Sequence, residues 1–289
     1  MKTVDITYRY EAQDIPARPR PSDSFAALNQ LNEGNQAFAA LFNGGSDEGA
    51  RIQRVISVDP RDLGLLSDDS GLPKQRPFAA VLGCSDARVP IELIFNEGPN
   101  DLFVIRVAGN GLGVDVLGSL KYAIDNLSGS VNLIVVLGHS SCGALTAAVD
   151  VFLNPVDYLP LVTKHSLRSI LDGLLVVVQA SARRIQGAFG PGISRHPGYR
   201  QALIEVSTVT NAALAAYSIQ QEFGTNDPTG LIAVYGVYRI ETRQVWAPRV
   251  GGMKEIGLAA APRDPAGFVE LGNAILQSEQ IAALIQAKQ

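Results

Sequence analysis

The chain has 289 residues, 46% hydrophobic and 18% charged, enough apolar side chains to bury a large core without disulfides or a partner. A formal charge of -4 with scattered basic residues leaves no electrostatic footprint for nucleic acid or an anionic membrane, while a small neutral or anionic substrate stays open. Residues 1–10 lack a signal-peptide apolar core, and no later segment approaches the ~18 uninterrupted apolar residues of a membrane span, so a soluble, cytoplasmic protein without a membrane partner is expected.

A proline-rich, polar stretch at 16–23 precedes Ser24, after which Phe25, Leu28, Leu31, Phe38, Leu41 and Phe42 fall at broadly helical spacing. This predicts an N-terminal arm over about 1–45 containing a helix to about Phe42. Three short apolar runs, 78–83, 102–108 and 131–138, each end at glycine or polar residues and read as buried parallel strands. Between the second and third, Val114, Leu117, Leu120, Tyr122, Ala123 and Leu127 suit a helix crossing back over the sheet.

Residues from about 150 to 200 read as an insertion, with a helix at about 166–186 and a glycine- and proline-bearing loop through Gly190 and Pro197. An amphipathic helix is expected over 201–223. A β-rich run at 231–240 pairs into the same sheet, with 244–246 as an edge. Helical spacing returns at 265–287, within a C-terminal extension of about 255–289. With no internal repeat and no linker, the class is α/β in one domain: a central, mostly parallel sheet of about four or five strands flanked by helices.

Two cysteines are too few for a secreted disulfide framework, and both lie in polar, glycine-flanked motifs. The first apolar run ends in Gly83-Cys84-Ser85-Asp86-Ala87-Arg88 and the third in Gly138-His139-Ser140-Ser141-Cys142-Gly143. Ligands of open parallel sheets bind beyond the carboxyl ends of the strands, where Cys84, His139 and Cys142 can meet. Two thiolates and an imidazole suit Zn²⁺ better than Mg²⁺ or Ca²⁺, and three protein ligands leave a fourth tetrahedral position open, as in catalytic sites. Asp86 and Arg88 alternate onto the face of Cys84 and can pair, which holds the carboxylate as an acceptor toward metal-bound water or lets it bind the metal when the pair opens. A structural zinc knot would want a fourth Cys or His ligand. The run from Gly109 to Gly113 lacks the last glycine of a dinucleotide loop and reads as a turn. His165 and His196, far from both motifs, are expected to be solvated or locally bonded.

Cys-x-Asp-x-Arg, followed 55 residues after its cysteine by His-x-x-Cys, resembles the motif pair of β-carbonic anhydrases. The likeness extends to Gln75, Arg88-Val89-Pro90, Phe103, Arg106, Ala108-Gly109-Asn110 and Tyr122, while Val107 stands where the family commonly has asparagine. The resemblance implies one Zn²⁺ per chain on Cys84, His139 and Cys142, and reversible hydration of carbon dioxide to bicarbonate through a zinc-bound hydroxide. It further implies Asp86 and Arg88 as catalytic, Gly109 at the substrate pocket, Gln75 orienting substrate, and Phe103 and Tyr122 as aromatic walls. That pocket is partly supplied by a neighbouring subunit, hence a homodimer or larger homo-oligomer. The alternatives are hydrolysis of carbonyl sulfide or carbon disulfide on the same zinc, or a non-catalytic zinc-binding regulator.

Overall fold

A computed structural model of the chain describes residues 3–11, 20–43, 51–66, 72–127, 129–162, 165–224, 230–248, 250–251 and 257–286. In chain order the elements are β1 (Thr3–Tyr10), α1 (Ser24–Asn43), β2 (Arg51–Val58), β3 (Ala79–Gly83), α2 (Ile91–Ile94), β4 (Leu102–Arg106), α3 (Val114–Asn126), β5 (Leu133–His139), α4 (Gly143–Leu153), α5 (Leu159–Val162), α6 (His165–Phe189), α7 (Tyr199–Phe223), β6 (Ile232–Arg239), β7 (Gln244–Trp246), β8 (Ala259–Ala260), α8 (Pro265–Gln277) and α9 (Glu279–Gln286). The central sheet runs β4-β3-β5-β6-β7, the first four strands parallel and β7 antiparallel, with the two-residue β8 also antiparallel to β6. The expected four or five strands are therefore present, and β8 adds a short sixth.

Alternation along the strands divides the core into two layers. Ala80, Leu82, Ile134, Val136, Tyr235 and Val237 point to one face and pack under α3, α4, α6, α7 and the C-terminal helices. Val81, Leu133, Val135, Leu137, Val234 and Tyr238 point to the other, against α1 and α2. Because both faces are covered, the strands read as continuous apolar runs rather than alternating ones.

Three regions differ from the sequence reading. The arm is more than a helix: β1 pairs in parallel with β2 as a separate two-stranded ribbon. The helix expected at 166–186 runs from His165 to Phe189, and its Leu174, Val178, Ala182 and Ile185 are buried in the same apolar layer as the sheet. The stretch at 265–287 is two helices, since Ser278 takes extended backbone angles and its hydroxyl donates to the carbonyl of Ile275; residue 287 lies outside the described residues. By length and composition α7 would suffice to cross a membrane, yet 78% of its most apolar window is buried within this fold, as expected of a core helix.

Candidate metal centre

Strand register assembles the cluster. Gly83 at the end of β3 lies beside Leu137 of β5, so Cys84, just beyond β3, and His139, the last residue of β5, leave the sheet as neighbours. Ser141 adopts φ 56° and turns the chain back, which sets Cys142 as the N-cap of α4. The ligand atoms of Cys84, His139 and Cys142 all lie within 4.8 Å of one another, and all three residues are buried.

The imidazole shows what the cluster lacks. His139 Nδ1 lies 2.9 Å from the carbonyl oxygen of Ser140, which can only accept, so Nδ1 carries the proton and Nε2 presents its lone pair to the two sulfurs. Nε2 is buried and, among the described residues, has no hydrogen-bond partner. The nearest carboxylate oxygen, Asp86 Oδ2, is 3.8 Å away, too far for a hydrogen bond. A lone pair buried in this way is expensive to leave unmet, and a thiophilic divalent cation between it and the sulfurs satisfies it.

The two thiols behave as one acid. The Cys84 thiol is pushed down to about 3, chiefly because Cys142 donates a hydrogen bond to its sulfur, which outweighs burial. Donating that bond, together with burial, holds the Cys142 thiol above its ordinary value, although backbone N–H groups of Leu145 and Ala144 pull the other way. The pair thus shares one proton, which a cation would displace to obtain two thiolates. A further donor, the backbone N–H of Gly109, reaches Cys84 Sγ at 3.3 Å.

Asp86 and Arg88 meet side by side. Arg88 Nε donates to Asp86 Oδ1 at 3.0 Å and Nη2 to Oδ2 at 2.7 Å, while the Arg88 backbone N–H donates to Oδ1 at 2.9 Å. These bonds, led by the Arg88 side chain, hold the carboxyl well below the usual carboxylate range against the opposing effect of burial. Arg88 Nη2 also donates to the carbonyl of Ser141 at 3.2 Å, tying the two motif loops together. Arg106, at the end of β4, donates to the backbone oxygens of Cys84 at 3.0 Å and Asp86 at 2.5 Å.

Compared with known proteins, residues 79–192 match the family model described as carbonic anhydrase. Carbonic anhydrase 2 of Mycobacterium tuberculosis is 38% identical over 167 residues, which cover 55% of this chain and 72% of that protein. Carbonic anhydrase 1 of Escherichia coli O157:H7 is 33% identical over 197 residues, 66% of this chain and 82% of that one. The chain belongs to the β-carbonic anhydrase family. Among solved structures, that of the β-carbonic anhydrase CcaA is similar at 27% identity and a TM-score of 0.46, over 64% of this chain and 85% of that one. The family match runs through α6, across most of the segment that the sequence reads as an insertion.

Of the residues that the family resemblance marks in this chain, Cys84, Asp86, Arg88, Gly109, His139 and Cys142 come together. Gln75 does not: it is exposed and precedes the amino end of β3, whereas Cys84 follows its carboxyl end. Phe103 stands in register with Ala80, four residues before Cys84, and its ring centroid lies 6.4 Å from that of Tyr122 on α3, away from the sulfurs along the strand. His196 is locally bonded, its Nδ1 accepting from the backbone N–H of Gly198, while the His165 side chain lies outside the described residues.

Two supporting contacts were not anticipated. Asn211 on α7 donates to the Gly109 carbonyl at 2.9 Å, fixing the turn whose N–H reaches Cys84. Gly109 itself has φ 65°, the left-handed region, and a Cβ there would stand 3.1 Å from side-chain carbons of both Ala144 and Leu174. Ser140 donates to Glu241 at 2.9 Å and accepts from the N–H of Ile240, which holds the carbonyl that orients His139. Nothing along the chain linked Asn211, on a helix with many polar residues, to Gly109, or Glu241 to Ser140.

Proposed function

We propose that this chain interconverts carbon dioxide and bicarbonate at a zinc ion held by Cys84, His139 and Cys142. The observation that carries this reading is the buried, unpartnered His139 Nε2 facing two buried sulfurs within 4.8 Å, in a member of the β-carbonic anhydrase family. Two sulfurs and one ring nitrogen suit Zn²⁺ and leave a fourth position for a small ligand. A bound Zn²⁺ would supply the Lewis acidity that makes water ionisable near neutral pH.

The protein's own groups do the rest. Asp86, ionised and fixed by Arg88, stands at the edge of the cluster, where its carboxylate would accept a hydrogen from a small ligand and so orient that ligand toward the substrate. By binding both of its oxygens, Arg88 would hold the carboxylate beside the cluster rather than within it. The Gly109 N–H draws electron density from the Cys84 sulfur, moderating two strongly donating thiolates. Since one chain keeps Gln75 at the far end of β3, the reading assigns Gln75, Phe103 and Tyr122 to the site of a neighbouring subunit, and the working unit is a homodimer or larger homo-oligomer.

Elemental analysis and stopped-flow carbon dioxide hydration, on the same purified protein over roughly pH 6.5 to 9, test it. One zinc per chain with activity rising with pH is the expected result. Zinc without turnover would overturn the carbon dioxide reading and turn attention to carbonyl sulfide or carbon disulfide, or to a blocked site.

A further inference from the structure

The ribbon formed by β1 and β2 stands apart from the central sheet, and β1 is its edge. One side of β1 pairs with β2 through all eight residues; among the described residues no strand lies along the other. Such an edge of unpaired backbone groups invites another strand. The faces of β1 are unlike. Val4, Ile6 and Tyr8 are half-buried, with Ile6 against the apolar layer beneath the sheet, while Thr3, Thr7 and Arg9 are exposed.

The strand is also complementary to itself. Laid antiparallel on a second copy with Thr7 opposite Thr7, its sequence sets Asp5 opposite Arg9 twice, Ile6 opposite Tyr8 twice and Val4 opposite Tyr10 twice. The charged pairs fall on the solvent face and the apolar pairs on the protein face, where Tyr10, 45% exposed in the single chain, gains an apolar neighbour. Other registers lose this match. A slip of one residue would set the solvent face of one copy on the protein face of the other. A two-residue change in register either places Asp5 opposite Thr7 or brings it against Glu11. Within one chain Asp5 pairs with Arg51, and Arg9 lies 3.7 Å from Glu11, so the proposed contact would link four alternating charges on each side of the axis.

We propose that β1 pairs antiparallel with β1 of a second copy of this chain, across a twofold axis at Thr7, joining two ribbons into one four-stranded sheet. This contact is independent of catalysis at the metal centre, and zinc content serves only to show that each variant is folded.

The test is assembly mass by sedimentation, in units of the 30.7 kDa chain, on zinc-loaded protein. Arg9→Asp and Asp5→Arg each set like charges opposite one another at both positions, and each alone is expected to halve the wild-type mass. Mixing them pairs a strand with Asp at 5 and 9 against one with Arg at both, and restores that mass. Should Asp5→Arg suffer from losing its own-chain partner Arg51, Thr7→Cys decides separately: mild oxidation should cross-link it to itself across the axis, whereas Thr3→Cys should not. Mass unchanged in Arg9→Asp, a mixture that stays dissociated, or no self-cross-link through Thr7→Cys would each overturn the proposal.

Discussion

The two ends of the central sheet are both rich in polar side chains, and they do opposite things with them. At the amino end two asparagines return to the backbone: Asn100 accepts from the N–H of Arg76 at 3.0 Å and donates to the carbonyl of Lys74 at 3.1 Å, and Asn132 donates to that of Pro21 at 3.1 Å. At the carboxyl end Cys84, His139 and Cys142 converge in a buried cluster, and His139 Nε2 is left without a partner. Polarity at a strand end is thus ordinary loop anchoring; what distinguishes a site is a buried polar atom whose neighbours are arranged around it without satisfying it.

Removing ligands from one end and anchors from the other should separate the two most widely. His139→Ala or Cys84→Ser should empty the metal centre and lower carbon dioxide hydration by at least ~100-fold, since even groups that only support a ligand matter on that scale. Asn100→Ala, at the amino end, should leave zinc content intact and activity within about 2-fold, with the loss confined to stability, about 1 kcal/mol for its hydrogen bonds. Elemental analysis with stopped-flow assay reads both. A fully loaded, active His139→Ala protein would mean that the orphaned nitrogen is not a ligand.

Asp86→Asn comes next. The amide fills the same space and can still accept from Arg88, but it cannot carry the charge that makes Asp86 an acceptor at the cluster's edge. Zinc content should be unchanged, and activity above neutral pH should fall by about 10²–10⁴-fold. Full activity in this variant would remove Asp86 from the chemistry and leave it a loop anchor, the same kind of residue as Asn100.

How much of this contrast the chain displays before folding depends on where the contacts run. The meeting of Cys84, His139 and Cys142 was legible because each motif directly follows an apolar run, so naming the strands also named the end of the sheet where Cys84 and His139 would emerge. The helices 24–43, 114–126 and 199–223 were legible from spacing. The β1–β2 ribbon was not, although Val4, Ile6 and Tyr8 alternate with polar residues, because the charges of Asp5 and Arg9 suit an unpaired arm equally well and the partner strand begins only at Arg51. Asn211 was hidden for a different reason: it lies 102 residues from Gly109, and a contact of that span has no local signature.

Asn211 also allows a finer test of what positions the metal centre. Beside it is a cavity of about 400 Å³, lined in part by Val107, Leu112, Leu174 and Leu214, so Asn211→Leu can be accommodated while the donor to Gly109 is lost. Zinc affinity should weaken by about 10–100-fold, measured by competition with a chelator. In the cobalt-substituted protein the sulfur-to-metal absorption should also shift, a change that simple loss of stability would not produce. An unaltered spectrum would confine Asn211 to packing.

The smallest expected effect concerns the Asp86–Arg88 pair as a source of stability. Its folded carboxyl is held below the ordinary value of 3.8, first by the Arg88 side chain, against the opposing effect of burial, and then by the Arg88 backbone N–H. A depressed carboxylate stabilises the fold at pH values above its unfolded pKa, and that contribution disappears as the pH falls through the lower folded one. Zinc-free wild type should therefore melt slightly above zinc-free Asp86→Asn at neutral pH, by about 2 °C because Arg88 is half exposed and solvent screens the pair. The gap should close as the pH falls below 3.8. A gap that persists undiminished in acid would mean that Asp86 stabilises its loop through its shape and hydrogen bonds rather than its charge, and would weaken the case for a permanently ionised acceptor at the metal centre.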